Sequence, residues 1–367
     1  MVMKTLCLAF FCLLLTNAVN AQSDTSGQRK NDLSVSGFLD IFYSYDFNQP
    51  KGDFRQPFLY NHNRHNEFNL NLGLVKVSID RSGYRANIAL QTGTYANDNY
   101  AAEPGLLKNI FEANAGVSLN NKKTIWLDAG TFASHIGFES AISIDNWTLT
   151  RSLLAENSPY YLSGIKTTFH PDDTWAVAIV LCNGWQRIQR LRGNSMPSLG
   201  TQLNLGLGEN TTFNWSTFAG TDTPDSVRCW RYFNNLYAET KLSEKFGIIA
   251  GFDIGVQQKT KNSSDYNVWY SPVIIGRYSI SEKFFATVRG EYYQDESGVI
   301  IDTGSMHGFR TTGLSLNLDF FPFPNLAYRI EGRWFNSKDK IFLRSQHVLI
   351  NGNLFITTAV VLKFNEN

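Results

Sequence analysis

Charge is scarce in this 367-residue chain, and neither sign dominates. Asp, Glu, Lys and Arg make up 18% of the residues, 33 basic against 32 acidic. An ordinary soluble domain carries roughly 25%. Without a basic excess to neutralise phosphates, the composition argues against a nucleic-acid binder. Near-zero net charge with 14% aromatic residues argues against a disordered chain. Proline is rare, at ten residues, and glycine has no triplet period, which excludes a collagen-like chain. Long apolar runs are missing after the N-terminus. A membrane-spanning helix needs about twenty such residues, so none is expected. A mean hydropathy of −0.23 leaves room for one kind of membrane protein, a β-barrel whose strands alternate apolar and polar residues.

What is present begins with a targeting segment. Lys4 precedes the apolar run Thr5–Leu15, and Val19-Asn20-Ala21 offers a small-residue cleavage site. The run is too short for a transmembrane anchor, so residues 1–21 read as a cleavable export signal. Residues 22–32 read as a short polar periplasmic extension. Cys182 and Cys229 then remain, a pair that one disulfide would join if the fold brought them together.

From residue 33 onward the chain alternates with period two. In 33–47, Val35, Leu39, Ile41 and Tyr43 share one face, and Ser34, Ser36, Asp40 and Ser44 the other. Sixteen such segments are expected: 33–47, 67–80, 84–95, 108–119, 124–132, 161–170, 174–185, 198–207, 211–220, 230–242, 246–257, 267–280, 284–295, 308–320, 325–337 and 352–364. Their connections alternate strictly between short turns, such as Ser243-Glu244-Lys245 and Ser281-Glu282-Lys283, and longer loops, such as 48–66 and 133–160. In an up-and-down barrel this puts all short turns at one end and all long loops at the other, the outer-membrane pattern of short periplasmic turns and long extracellular loops. Aromatic residues gather at strand ends, as two interfacial girdles would require. The expectation is an all-β, transmembrane, antiparallel barrel of about sixteen strands spanning 33–364. The alternative is a large soluble β-protein, which does not explain the loop asymmetry.

The first half carries Gln91-Thr92-Gly93-Thr94-Tyr95 with Asp98, Tyr100-Ala101-Ala102-Glu103-Pro104 and Gly137-Phe138-Glu139-Ser140. It continues with Asp145-Asn146, Thr148-Leu149-Thr150-Arg151-Ser152, Pro159-Tyr160-Tyr161, Gly164 and Asn183-Gly184-Trp185-Gln186. With these motifs the chain resembles the OmpL-like β-barrel porin family of Gram-negative bacteria. The resemblance implies a porin and brings no catalytic residue with it.

Alternation assigns lumen-facing charges: Arg85, Lys166, Arg277, Arg289, Arg329 and Arg333 on the basic side, Asp40, Glu112, Asp128, Glu291 and Glu331 on the acidic side. Arg277, Arg289, Arg329 and Arg333 lie on neighbouring strands. They form either a basic selectivity wall, which tilts the reading toward anions, or a set of ion pairs that brace the barrel. Loop 133–160 is apolar enough, with Ile142, Trp147, Leu149, Leu153 and Leu154, to fold inward and narrow the pore. Its Glu139, Asp145 and Glu156 then face the arginines across the constriction. An external lid or a protomer contact is the alternative for this loop. His62 and His65 are spaced like metal ligands but lack a third partner, so no metal or other cofactor is expected. A barrel esterase would need a converging Ser, His and acid, and Ser134-His135 are merely adjacent in sequence. The reading is therefore a non-enzymatic porin for small hydrophilic solutes, selecting by size and charge. Expected partners are outer-membrane lipid, lipopolysaccharide, the barrel assembly machinery and, by analogy, two further copies in a homotrimer. A barrel enzyme and a non-conducting structural or adhesive barrel are the other readings.

Overall fold

The computed structural model describes residues 33–52, 55–345 and 348–366. The proposed signal segment 1–21 and extension 22–32 lie outside the described residues. Strand β1 runs Leu33–Asp46, followed by β2 Phe68–Asp80, β3 Tyr84–Thr92, β4 Ile110–Ser118, β5 Ile125–Ala133 and β6 Tyr161–Phe169. Next come β7 Trp175–Cys182, β8 Ser198–Gly206, β9 Thr211–Gly220, β10 Arg231–Lys241, β11 Phe246–Gln258 and β12 Tyr266–Ser279. The chain continues with β13 Phe284–Asp295, β14 Phe309–Phe323, β15 Leu326–Ser337, a hairpin of β16 Phe342–Arg344 and β17 Val348–Ile350, and β18 Gly352–Glu366. Each barrel strand pairs antiparallel with its sequence neighbour, and β1 pairs with β18 to close a sixteen-stranded barrel. Closure leaves no sheet edge, which a lipid environment requires.

Alternation fixes which way each side chain points. On β13, Val288 faces outward and is 57% exposed, whereas its neighbour Arg289 faces inward and is 2% exposed. The same inversion holds on β12 for Ile274 and Ile275, and on β15 for Ile330 and Glu331. The outer wall is thus apolar and the interior polar, the opposite of a soluble core. Short turns are closed by local chemistry. The hydroxyls of Ser243 and Ser281 each accept from the backbone N–H groups two and three residues on, which explains the repeated Ser-Glu-Lys at both turns. At the same end Phe284 stacks on Phe320, with ring centroids 4.5 Å apart, and Phe320 on Tyr328.

Two expectations about elements are corrected. The third strand does not reach residue 95 but ends at Thr92, and Thr94–Asn99 form a short helix. Gly93 makes the turn with φ of +119°, and a Cβ there would lie 2.5 Å from the Asn71 carbonyl oxygen. Only glycine fits such a position. Loop 338–351 contains the β16–β17 hairpin, whose strands of three residues are too short for a periodicity to show.

Candidate functional site

Loop 133–160 enters the barrel and lies against the inner faces of β13, β14 and β15. Three arginines of that wall hold it. Arg289 donates to Thr148 Oγ1 at 2.8 Å and to the Thr150 carbonyl at 2.7 Å. Arg333 donates to the Arg151 carbonyl at 2.8 Å, and Arg329 to the carbonyls of Ser143 and Asn146. The wall's acceptors complete the arrangement. Glu331 accepts from Thr150 N at 2.6 Å, Glu291 from Leu153 N at 2.6 Å, and Asn317 from Leu149 N at 3.0 Å. The same carboxylates neutralise the arginines: Arg289 with Glu331 at 2.7 Å, Arg333 with Glu291 at 2.6 Å, Arg329 with Asp319 at 2.7 Å. All six side chains are fully buried. Guanidinium suits this role because its forked donors serve a carboxylate and a carbonyl at once. Arg277, at the rim of the group, lies 3.9 Å from Asp319 and over the Phe285 ring.

The acids expected to oppose this wall across an open gap do not do so. Glu139 lies 3.9 Å from Arg289 and accepts from Ser152 N and Oγ. Glu156 lies 3.7 Å from Arg151 and accepts from Tyr60 N and Asn61 Nδ2. Asp145 reaches Lys363 near the end of β18, at 2.9 Å, so the loop descends to the short-turn end of the barrel. Trp147 packs there too, against Gly247 at the start of β11.

Loop 48–66, expected to lie outside, is a second inward element. Arg55 donates to Ser44 Oγ and to the His62 carbonyl, both at 2.7 Å, and stacks 3.5 Å from the Phe355 ring centroid. His62 Nε2 meets Asp40 at 2.9 Å, and Asp40 also accepts from Asn71 Nδ2 and Ser143 Oγ. Asp40 therefore joins the wall to both loops at one buried point. The signal was present: Phe58, Leu59 and Tyr60 give this loop the same apolar content that marked loop 133–160.

The wall from β2 to β6 meets both loops at Asn71, Leu72, Leu74 and Ala89 and also carries a ladder of charges. Lys76 on β2 bridges over Ala89 to Glu112 on β4 at 2.6 Å. Arg85 on β3 bridges over Gly116 to Asp128 on β5, with contacts of 2.7 and 2.6 Å. A Cβ at Gly116 would sit 2.1 Å from Asp128 Oδ1, so the bridge needs the glycine. Lys166 on β6 is the register neighbour of Asp128 and lies over the Phe132 ring at 4.8 Å. Lys76 and Arg85 keep about a third of their side chains exposed. Above this wall, a cavity of about 290 Å³ opens between the loop and the wall, lined by Glu112, Glu139, Tyr95, Ser158 and Tyr160. Ser158 also lines a second cavity of about 300 Å³ at the long-loop end, with Trp185, Arg187 and Arg231.

Besides His62, three further histidines among the described residues are held by structural bonds. His65 Nδ1 accepts from Asp46 N, and His307 Nδ1 meets Asp339. His135 Nε2 donates to the Thr217 carbonyl at 2.9 Å, and Ser134 Oγ accepts from Ile136 N. Among the described residues no cluster of His, Cys, Asp and Glu could hold a metal ion, and Cys182 and Cys229 are free thiols. Burial lowers the His135 pKa from 6.5 to about 4, with the Thr217 bond opposing and Lys166 assisting. The unfolded chain then binds the extra proton first. The neutral ring's contribution is full above pH 6.5 and is lost as pH falls toward 4. The loss amounts to about 3 kcal/mol. His135→Gln should flatten the fall in unfolding midpoint between pH 7 and pH 4, measured on the detergent-folded barrel; an unchanged slope refutes the assignment.

The fold has many solved relatives. It is similar to the outer membrane channel DcaP of Acinetobacter baumannii, at 10% identity and a TM-score of 0.60, over 93% of this chain and 100% of that one. The anion-selective porin of Comamonas acidovorans aligns at 8% identity and a TM-score of 0.59, over 90% and 99%. OmpF of Salmonella typhi, solved in complex with daunomycin, aligns at 9% and 0.60, over 90% and 97%. No curated protein sequence matches the chain. A family model described as "Putative beta-barrel porin-2, OmpL-like" matches residues 32–364. That match takes in the entire closed barrel, both inward loops and the charge ladder, and the chain accordingly belongs to this family of outer-membrane β-barrel porins.

Proposed function

We propose that this porin passes small hydrophilic solutes by passive diffusion along a route between loop 133–160 and the β2–β6 wall. The observation that carries the reading is the burial of Arg289, Arg329 and Arg333 beneath the loop. It closes the β13–β15 side of the lumen, and the two cavities, both bordered by Ser158, lie away from it. Selection by charge then falls to Lys76, Arg85, Glu112, Asp128 and Lys166, which face the route, and not to the arginine wall. With Asp80, which shares the register row of Arg85, three bases and three acids leave this face without net charge, so the unpaired Lys166 sets its preference. Size exclusion follows from cavities of about 300 Å³, far narrower than an empty sixteen-stranded barrel.

On this reading residues 1–21 direct export and are cleaved, residues 22–32 extend into the periplasm, and the assembly machinery inserts 33–364 into the Gram-negative outer membrane. Lipopolysaccharide surrounds its outer half. Solved OmpT of Vibrio cholerae has a trimer form, and a homotrimer is the assembly we favour here. A catalytic role finds no support in the bonds of His135 and Ser134.

The test is conductance of the refolded mature chain in planar bilayers. Discrete, stable steps are expected. A folded barrel that never conducts overturns the reading. Replacing 139–150 by a short Gly-Ser link should raise the step at least about twofold, because the loop occupies lumen cross-section.

A further inference from the structure

Loop 133–160 holds one charge that the pinning network does not use. The Arg151 side chain is 2% exposed, yet Nε, Nη1 and Nη2 all lack a hydrogen-bond partner. Its guanidinium lies 3.0 Å from the Tyr160 ring centroid and 5.4 Å from that of Tyr95. Glu156 sits 3.7 Å from Nε, but its two oxygens already accept from Tyr60 N and Asn61 Nδ2. The Tyr160 hydroxyl is also buried without a partner, and the buried Tyr95 hydroxyl has only Asn99 and Arg151 for polar neighbours. Buried polar groups are almost always bonded, and a buried charge still more so. A guanidinium and a phenol with unused donors, beside the Tyr95–Asn99 pair, point to a ligand that the protein does not itself supply.

The chemistry of that ligand follows from the donors. A guanidinium offers five N–H groups, an amide two and each phenol one, so the cluster is rich in donors and poor in acceptors. It suits an anionic oxygen pair. Tyr95 and Tyr160 also line the 290 Å³ cavity, whose other walls include Tyr100, Phe111, Phe138 and Ala155. Arg151 is held there by ring faces, so turning it toward the cavity breaks no hydrogen bond. Two acids border the same space. Glu112 is engaged by Lys76 at 2.6 Å. Glu139 is engaged by Arg289 at 3.9 Å and by Ser152 N and Oγ. Neither repels an incoming anion at full strength.

We propose that Tyr95, Asn99, Arg151 and Tyr160 form a solute subsite for a small carboxylate that carries an apolar body. The proposal rests on the permeation route above for its access, and its test does not need conduction. Calorimetric titration of the detergent-folded barrel, with sodium benzoate as the probe, should show saturable binding. Arg151→Gln should weaken it at least tenfold. Tyr95→Phe removes a hydroxyl that meets only Asn99 and Arg151 of the subsite, so the barrel should fold normally and bind benzoate several-fold more weakly. Sodium phosphate at the same ionic strength lacks the apolar body and should bind far less. Absence of saturable benzoate binding, or equal binding by parent and both variants, overturns the subsite. Phosphate binding as tight as benzoate overturns the carboxylate assignment. A conducting barrel that ignores benzoate refutes the subsite and leaves the channel. A barrel that binds benzoate without conducting refutes the route and keeps the subsite.

Discussion

Replacing Arg289 with alanine is expected to free loop 133–160 from the barrel wall and to raise single-channel conductance. Arg289 is the most connected of the three pinning arginines. It bonds Thr148, Thr150 and Glu331, and lies within 4 Å of Glu291 and Glu139. Its removal leaves the buried Glu331 without its arginine, while Glu291 keeps Arg333. Breaking a buried pair by deleting one partner costs roughly 3–5 kcal/mol. The cheapest response is for water to enter and the loop to leave, since the sixteen-stranded ladder does not depend on the loop's bonds. The barrel should therefore stay folded, with its gel migration still heat-modifiable, while protease cuts within 139–152 in the folded state. Single-channel steps should grow and become noisy. An unchanged conductance with a protected loop would show that Arg329 and Arg333 suffice, and would sink the prediction. Glu331→Gln is the milder companion: it keeps the acceptor for Thr150 but removes the charge facing Arg289, so a smaller rise is expected.

The architecture was legible because membrane strands must alternate. Period two placed Val288 outside and Arg289 inside with no knowledge of neighbours, and the strict alternation of turn lengths set the topology. What alternation cannot say is what an inward side chain meets. The partners of Arg329 are backbone carbonyls of Ser143 and Asn146, almost two hundred positions away, and a backbone carbonyl leaves no mark in a sequence. Lumen charges could thus be assigned to the interior, but bracing and selectivity stayed alternatives until the loop's path was known. Loop 48–66 was misplaced for a different reason. Its polar stretch Asn61-His62-Asn63-Arg64-His65 reads as a solvated tip, whereas these residues bond one another and the wall: His62 to Asp40, Asn63 to Leu59, Arg64 to Asp98. The helix at 94–99 was missed because one positive φ, at Gly93, ends a strand whose alternation runs on in the letters.

If the route runs along β2–β6, its charge preference belongs to Lys166. This lysine is the cation of the ladder with no carboxylate within 4 Å among the described residues, whereas Lys76 and Arg85 are each paired. With Asp80 counted in the Arg85 row, Lys166→Glu changes this face from three bases and three acids to two bases and four acids, from 0 to −2. A swing of two unit charges felt at about 8 Å through water is worth about 1 kcal/mol, roughly fivefold in the local concentration of a monovalent ion. Anions lose that factor and cations gain it, so the reversal potential under a salt gradient should shift toward cation selectivity. High salt should shrink the effect as the Debye length falls below the pore radius. Reversing Arg329 instead would destroy the loop anchor, and any change in selectivity would come with altered conductance. That contrast separates the two walls. A Lys166→Glu barrel of normal step size and unshifted reversal potential would place the solute path elsewhere. A shift toward cations at constant step size would assign selection to the β2–β6 face, with the buried arginines acting only to hold the loop that defines it.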